Sequence, residues 1–329
     1  MMNPELNISK SAVYPPLKAA GFFRALNKGL PLGRKYHRFI SLVNPTHGLF
    51  TIPFGKFEAV HPASWGSETA AILFLGENLT PEFRLLPPLL KELKSGHLID
   101  LGANVGLYVL LFRANSSLPI IAYEPQPFLC SLVQANVDHN QLRNVEVRHL
   151  ACGATRGEIA FRTGINGGVV AGETDTTTTD THGSLDQQAD ETRHTRPVIR
   201  VPVTTLDEDL QGVPVAFMKI DCEGFEEQIL SGGMKLIEKQ RPHLLVEVHP
   251  QEMGKHGSSP ARVLAMLKPY YDLEFWDFSL QRHYPRLVRS ALKHRRPKGH
   301  QYATETEMLQ ACAAEPQPAQ IYFLCRPRR

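Results

Sequence analysis

The chain predicts an α/β fold: a mostly parallel sheet with helices on both faces. Three observations carry that expectation. From residue 97 onward, short apolar runs such as 120–123 and 215–220 alternate with helical patterns. The runs are only four to six residues long, which suits buried strands. Acids, glycines and prolines gather just after them. Strands buried on both sides need crossover helices, and that combination gives parallel pairing.

Taken in order, residues 81–94 read as a helix, with Leu85, Leu86, Leu89, Leu90 and Leu93 on one stripe. A strand follows at 97–100, a helix at 105–113, a strand at 120–123, a helix at 128–139 and a strand at 145–150. The rhythm then breaks. Residues 158–161 and 198–203 read as extra strands flanking a polar insertion at about 163–197, which holds a Thr/Asp run from Thr174 to Thr181. Such a run cannot bury enough apolar surface to order itself, so a flexible loop is expected. A mobile lid over a substrate is the alternative. The rhythm resumes with a strand at 215–220 and a helix at 227–239, stopped before Arg241-Pro242. A strand at 243–248, a helix at 260–271 and strands at 273–278 and 321–324 complete the pattern. Residues 1–80 are expected to form an N-terminal cap or extension, and 81–329 the main domain. The basic residues Arg286, Arg289, Lys293, His294, Arg295, Arg296 and Lys298 read as a solvated loop, with docking to an anionic substrate or membrane surface as the alternative.

Composition narrows the function classes. Across 329 residues, apolar content is 42% and charged content 21%, so a core can form without staples. A net charge of +3 gives no global case for nucleic acid. Five scattered cysteines without a CxxC pair argue against a disulfide framework and a zinc site. No signal peptide is read at the N-terminus and no apolar run reaches the ~20 residues that span a bilayer. A cytoplasmic location is therefore expected.

The strand ending at Asp100 leads into Leu101-Gly102-Ala103-Asn104-Val105-Gly106 and a helix. Ligands of open α/β sheets sit beyond the carboxyl ends of strands. Glycine serves there because backbone must turn or approach a ligand without a Cβ. The pattern is GxxxG. Asn104 stands where a pyrophosphate-binding GxGxxG would need its middle glycine, and no phosphate loop with GK[ST] occurs. An acidic turn suits a ligand with an ammonium group and no phosphate, as S-adenosylmethionine is. Glu124, in Tyr123-Glu124-Pro125 at the end of the second strand, is spaced to accept from ribose hydroxyls. Each piece alone is weak, since glycine turns also serve simple packing. Their joint order favours a nucleoside site.

Six blocks occur in sequence: Leu98-Ile99-Asp100-Leu101-Gly102-Ala103-Asn104-Val105-Gly106, Tyr123-Glu124-Pro125, Ala151-Cys152-Gly153, Val203-Thr204-Thr205-Leu206-Asp207, Met218-Lys219-Ile220-Asp221-Cys222-Glu223-Gly224-Phe225-Glu226, and Leu245-Val246-Glu247-Val248. Together they closely resemble the FkbM family of methyltransferases, over roughly residues 80–250. The resemblance implies a Rossmann-like class I methyltransferase sheet with an antiparallel last strand. It also implies S-adenosylmethionine as cofactor and O-methylation of a sugar, glycolipid or polyketide hydroxyl. By that resemblance Glu82, Asp100, Gly102, Asn104, Gly106, Glu124, Pro125 and Asp221 map to the cofactor. The long insertion and the basic C-terminal segment depart from the family pattern.

An aliphatic hydroxyl is a poor nucleophile, so a base or metal should help remove its proton. Asp221, Glu223, Glu247 and His249 follow the fourth and fifth strands at the carboxyl edge and are the catalytic candidates. Glu247 and His249 share one face if the strand runs on through His249. The bland readings are helix-flanking acids for Glu223 and Glu226, and a bonded loop residue for His249. The acids also suit Mg²⁺, though a general base is the preferred reading. The competing function readings are an NAD(P)-dependent oxidoreductase and a non-catalytic cofactor-binding module.

Overall fold

The computed structural model describes residues 13–14, 49–62, 81–164, 167–170, 197–278, 299–314 and 321–328. The Thr/Asp run at 174–181 and the basic residues at 286–298 lie outside them, as does most of 1–80. The fold is α/β and Rossmann-like, with mostly parallel strands and helical crossovers, as the alternating pattern predicts. The described residues fall into two compact units. One holds those up to Arg148 with the short stretch Phe278–His300. The other holds His149–Asp277 and the residues from Gln301 onward.

The first unit opens with an antiparallel hairpin in a region whose sequence shows only short apolar pieces. Its strands are β1 (Leu49–Phe54) and β2 (Phe57–Pro62), paired from Leu49↔Pro62 to Phe54↔Phe57. The connection is the two residues Gly55-Lys56, and Gly55 takes φ 59°, the left-handed value such short turns need. The expected helix at 81–94 is a 3₁₀ turn, Pro81–Leu85, followed by α1 (Leu86–Glu92). Pro87 and Pro88 are tolerated because they occupy its first turn, where backbone N–H groups have no intrahelical partner. Strand β3 (His97–Leu101), helix α2 (Leu107–Asn115), strand β4 (Ile120–Tyr123), helix α3 (Pro127–His139) and strand β5 (Val145–Arg148) then alternate. β3, β4 and β5 pair in parallel, in register Leu98↔Ile120↔Val145.

Two asparagines on one face at the end of α3 hold the hairpin. Asn136, fully buried, accepts from the Val60 amide at 2.7 Å and donates to the Val105 carbonyl at 2.9 Å. Asn140 accepts from the Glu58 amide at 2.9 Å and donates to the Glu58 carbonyl at 2.7 Å. The amides thus satisfy edge backbone of β2 on the side away from β1.

The second unit contains a small sheet and a large one. In the small sheet β6 (Gly157–Arg162) and β7 (Val198–Thr204) run antiparallel, with Ala151–Cys152 beside β7 and Gly168–Val169 beside β6. Phe161, Val201 and Val203 form its buried face. In the large one β8 (Val215–Ile220) pairs in parallel with β9 (His243–Val248). Between them the expected single helix is two, α4 (Glu226–Ser231) and α5 (Met234–Gln240). Gly232 explains the break: a Cβ there would sit 2.0 Å from the Gly153 carbonyl oxygen. Asp207 restarts the second helix by accepting from the Leu236 amide at 2.8 Å. Helices α6 (Pro250–Lys255) and α7 (Pro260–Leu267) lead to β10 (Tyr271–Asp277). A further helix, α8 (Glu305–Ala313), has no counterpart in the sequence-based expectation. The final strand β11 (Ile321–Pro327) is antiparallel to both β9 and β10, as the resemblance implies.

Candidate functional site

Two groups of polar side chains lie at the carboxyl ends of the parallel strands, one in each unit. In the first unit, β3 delivers fully buried Asp100 and the chain then turns. Gly102, Asn104 and Gly106 all take left-handed φ, at 76°, 52° and 83°. That backbone explains two glycines and an asparagine, the residues that tolerate it best. At Gly106 it is the left-handed φ that calls for glycine, since a Cβ there would only touch Val133 of α3, at 3.5 Å.

Buried Glu124 braces the turn. One carboxylate oxygen accepts from the Asn104 amide at 2.8 Å and the other from the Gln126 amide at 2.9 Å. Sequence spacing suggests only a ligand-binding role for Glu124; the bracing is visible only in three dimensions. Pro125 follows it directly, leading into α3. Glu82, also buried, accepts from the Tyr108 hydroxyl at 2.9 Å. Tyr108 in turn packs edge-on against Phe83 and Phe112, so Glu82 is tied to the aromatic side of α2.

In the second unit, Asp221, Glu223, Glu247 and His249 come together. Asp221 and Glu223 follow β8, Glu247 is the penultimate residue of β9, and His249 caps α6. The β9 strand ends at Val248, so His249 is placed by the cap of α6 rather than by strand alternation. Its Nε2 lies 3.7 Å from Asp221 Oδ1, 3.8 Å from Glu223 Oε2 and 3.7 Å from Glu247 Oε1. Its Nδ1 is 2.9 Å from Glu226 Oε1. The carboxylate that holds the imidazole is therefore Glu226, not Glu247.

Two further residues meet this group: Glu226, read from sequence only as a helix-flanking acid, and Lys219, which sequence alone does not single out. Both stand in the Lys219-Ile220-Asp221-Cys222-Glu223-Gly224-Phe225-Glu226 block, which is the available signal. Glu226 is 0% exposed, and the oxygen that meets His249 also accepts from the Cys222 and Gly224 amides. It fixes the loop in which Glu223 and Gly224 both take left-handed φ. At Gly224 a Cβ would come within 2.6 Å of Glu252. Lys219, 2% exposed, sets its ammonium 3.1 Å from Asp221 Oδ2. The neighbouring acid Glu227 plays a separate, structural part. It accepts from Ser258 at 2.6 Å and from Arg262, tying α4 to α7.

The charges are strongly coupled. Burial disfavours ionised Asp221, but Lys219 and His249 outweigh it and hold its carboxyl below the usual range. Burial raises Glu223 to about 7, opposed by His249 and reinforced by Asp221 and Glu226. Burial also opposes charge on His249, yet Glu223, Glu226 and Glu247 prevail and keep its pKa well above the ordinary value. Burial pushes the Cys222 thiol up, which disfavours its thiolate.

The Methyltransferase FkbM domain family matches residues 100–280, a span that includes both groups except Glu82. No curated protein matches the chain. Among solved structures, the methyltransferase FkbM from Methylobacillus flagellatus is similar at 14% identity. That likeness covers 92% of this chain and 62% of the other, with a TM-score of 0.40. A SAM-dependent O-methyltransferase from Thermotoga maritima is similar at 10% identity, over 76% of this chain and 66% of the other, with a TM-score of 0.38. The chain thus spans less than two thirds of either structure. Among the described residues no helix is long and apolar enough to cross a membrane.

Proposed function

Because the chain belongs to the FkbM family of methyltransferases, we propose that it moves a methyl group from S-adenosylmethionine to a hydroxyl of a small molecule. A sugar, glycolipid or polyketide-type acceptor fits the resemblance best. The observation that carries the cofactor assignment is the turn at Gly102–Gly106, held by Glu124. An acid-lined turn without a middle glycine disfavours a pyrophosphate, and the donor set fits a cationic nucleoside. Asp100, Gly102, Asn104, Gly106, Glu124 and Pro125 are assigned to the cofactor, with Glu82 and Asp221 as further contacts. The NAD(P) oxidoreductase reading gives way to the family.

Bound S-adenosylmethionine supplies a methyl group on a positively charged sulfur, open to in-line displacement. The chain has to orient an acceptor oxygen and take its proton. Positioning alone can lower the barrier by several kcal/mol. Proton removal falls to the cluster of Asp221, Glu223, Glu247 and His249, with the acids as acceptors, since the surrounding carboxylates favour the charged form of His249. Lys219 keeps Asp221 ionised, and Glu226 fixes the imidazole so that Nε2 points toward the three other carboxylates.

The test is transfer of labelled methyl from S-adenosylmethionine into a cell extract, followed by identification of the product. Label should enter a hydroxyl-bearing small molecule. Glu247→Gln should lose turnover by roughly 10²–10⁴-fold while still binding cofactor. Label on protein or nucleic acid alone would contradict the acceptor class. Cofactor binding without any transfer would favour the non-catalytic module.

A further inference from the structure

We propose that Asp221, Glu247 and His249 form a binding site for one divalent transition-metal ion, with Glu226 orienting the histidine and Lys219 orienting the aspartate. The donor atoms of the three residues lie within 4.8 Å of one another. Ligands held about 2.1 Å from an ion stand about 3.0–3.4 Å apart at neighbouring vertices and about 4.2 Å apart at opposite ones. The cluster is a slightly open version of that polyhedron, and small side-chain movements would close it.

Two further observations point the same way. The first is how the ligands are aimed. Histidines that bind metals typically use their other ring nitrogen to donate to a carboxylate, which fixes ring and tautomer. Here Nδ1 meets fully buried Glu226 at 2.9 Å, leaving Nε2 for the cluster. Asp221 is divided in the same manner: Oδ2 goes to Lys219 at 3.1 Å, and Oδ1 is the oxygen near His249. The second is spacing. Nε2 stands 3.7–3.8 Å from three separate carboxylates, beyond hydrogen-bond distance of each. Three carboxylates thus surround one ring nitrogen with none of them at hydrogen-bond distance from it, an arrangement that leaves room for an ion between them.

Charge balance supplies the driving force. Four carboxylates, from Asp221, Glu223, Glu226 and Glu247, share this spot with one lysine and one histidine. A dication among these acids would offset their negative charge. An imidazole among oxygen ligands favours Mn²⁺, Fe²⁺ or Zn²⁺ over Mg²⁺ or Ca²⁺, which prefer all-oxygen shells. Glu223 is the natural fourth contact. The site shares with the proposed function only the idea that this cluster prepares the hydroxyl, and ion binding is measurable without cofactor or acceptor.

The full chain, stripped with chelator and dialysed, should be titrated calorimetrically with Mn²⁺ and with Zn²⁺, with Mg²⁺ as comparison. One equivalent should bind, with Mg²⁺ at least tenfold weaker, and bound ion should raise the melting temperature. His249→Ala and Glu247→Gln should each weaken binding at least tenfold. Glu226→Gln, which keeps size and one acceptor, should weaken it roughly 10- to 100-fold. Absence of stoichiometric binding by the wild-type chain would overturn the site whatever the variants do. So would folded His249→Ala and Glu247→Gln chains that bind as the wild type does. Loss of S-adenosylmethionine binding with ion binding intact would instead count against the cofactor assignment alone.

Discussion

Glu124 braces the turn and, on the proposed reading, also serves the ligand. Its two oxygens already accept from the Asn104 and Gln126 amides. On the proposed reading, ribose hydroxyls would donate to the same carboxylate, which can accept from several donors at once. Glu124→Ala should therefore weaken S-adenosylmethionine binding by roughly 1.5–3 kcal/mol, about 10- to 100-fold, and also loosen the turn. Glu124→Gln should lose less, since it keeps one acceptor. Calorimetry on folded variants decides, and unchanged affinity in Glu124→Ala would remove it from the site. The glycines, Asn104 and Glu124 are legible in the chain because left-handed backbone and strand-end acids leave a local signature. Lys219 and Glu226 are not. Their roles depend on which partner a buried side chain meets, and an alternating pattern says only that a position is inside. Lys219 in particular sits in a strand among apolar residues, where it reads simply as an interruption.

At the scale of elements, strands of the parallel sheet are legible almost to the residue: 120–123, 215–220 and 243–248 match β4, β8 and β9. Each is a short apolar run with sharp polar ends. Helices are less so. Gly232 splits one because of a carbonyl that belongs to distant Gly153. The β1–β2 hairpin escapes the pattern because its anchor is Asn136 and Asn140, polar residues on the inner side of α3. An amphipathic count treats them as solvent-facing. Asn136→Ala would leave the buried Val60 amide without its acceptor, a loss of about 1–3 kcal/mol. Hydrogen exchange should then speed up at the hairpin amides while β8 and β9 keep their protection. Unchanged exchange at Val60 and Glu58 would show that strand pairing alone holds the hairpin.

For the whole molecule, the α/β class follows from rhythm alone, and the antiparallel final strand from resemblance. Composition cannot supply the small β6–β7 sheet's partners, since Ala151–Cys152 and Gly168–Val169 are too short to carry a periodicity. Nor can it reveal that Asp221, Glu223 and Glu247 converge on one nitrogen of His249. That convergence depends on the parallel pairing of β8 and β9, which brings the loop at Asp221 and the end of β9 at Glu247, 26 residues on (from 221 to 247), to one edge. On the proposed reading, the turn at Gly102–Gly106 serves S-adenosylmethionine and not a dinucleotide. Isothermal titration of the full chain with S-adenosylmethionine, its demethylated product and NAD tests it most directly. Stoichiometric binding of the first two, with no comparable heat from NAD, is the predicted result; tight NAD binding with no response to S-adenosylmethionine would contradict it.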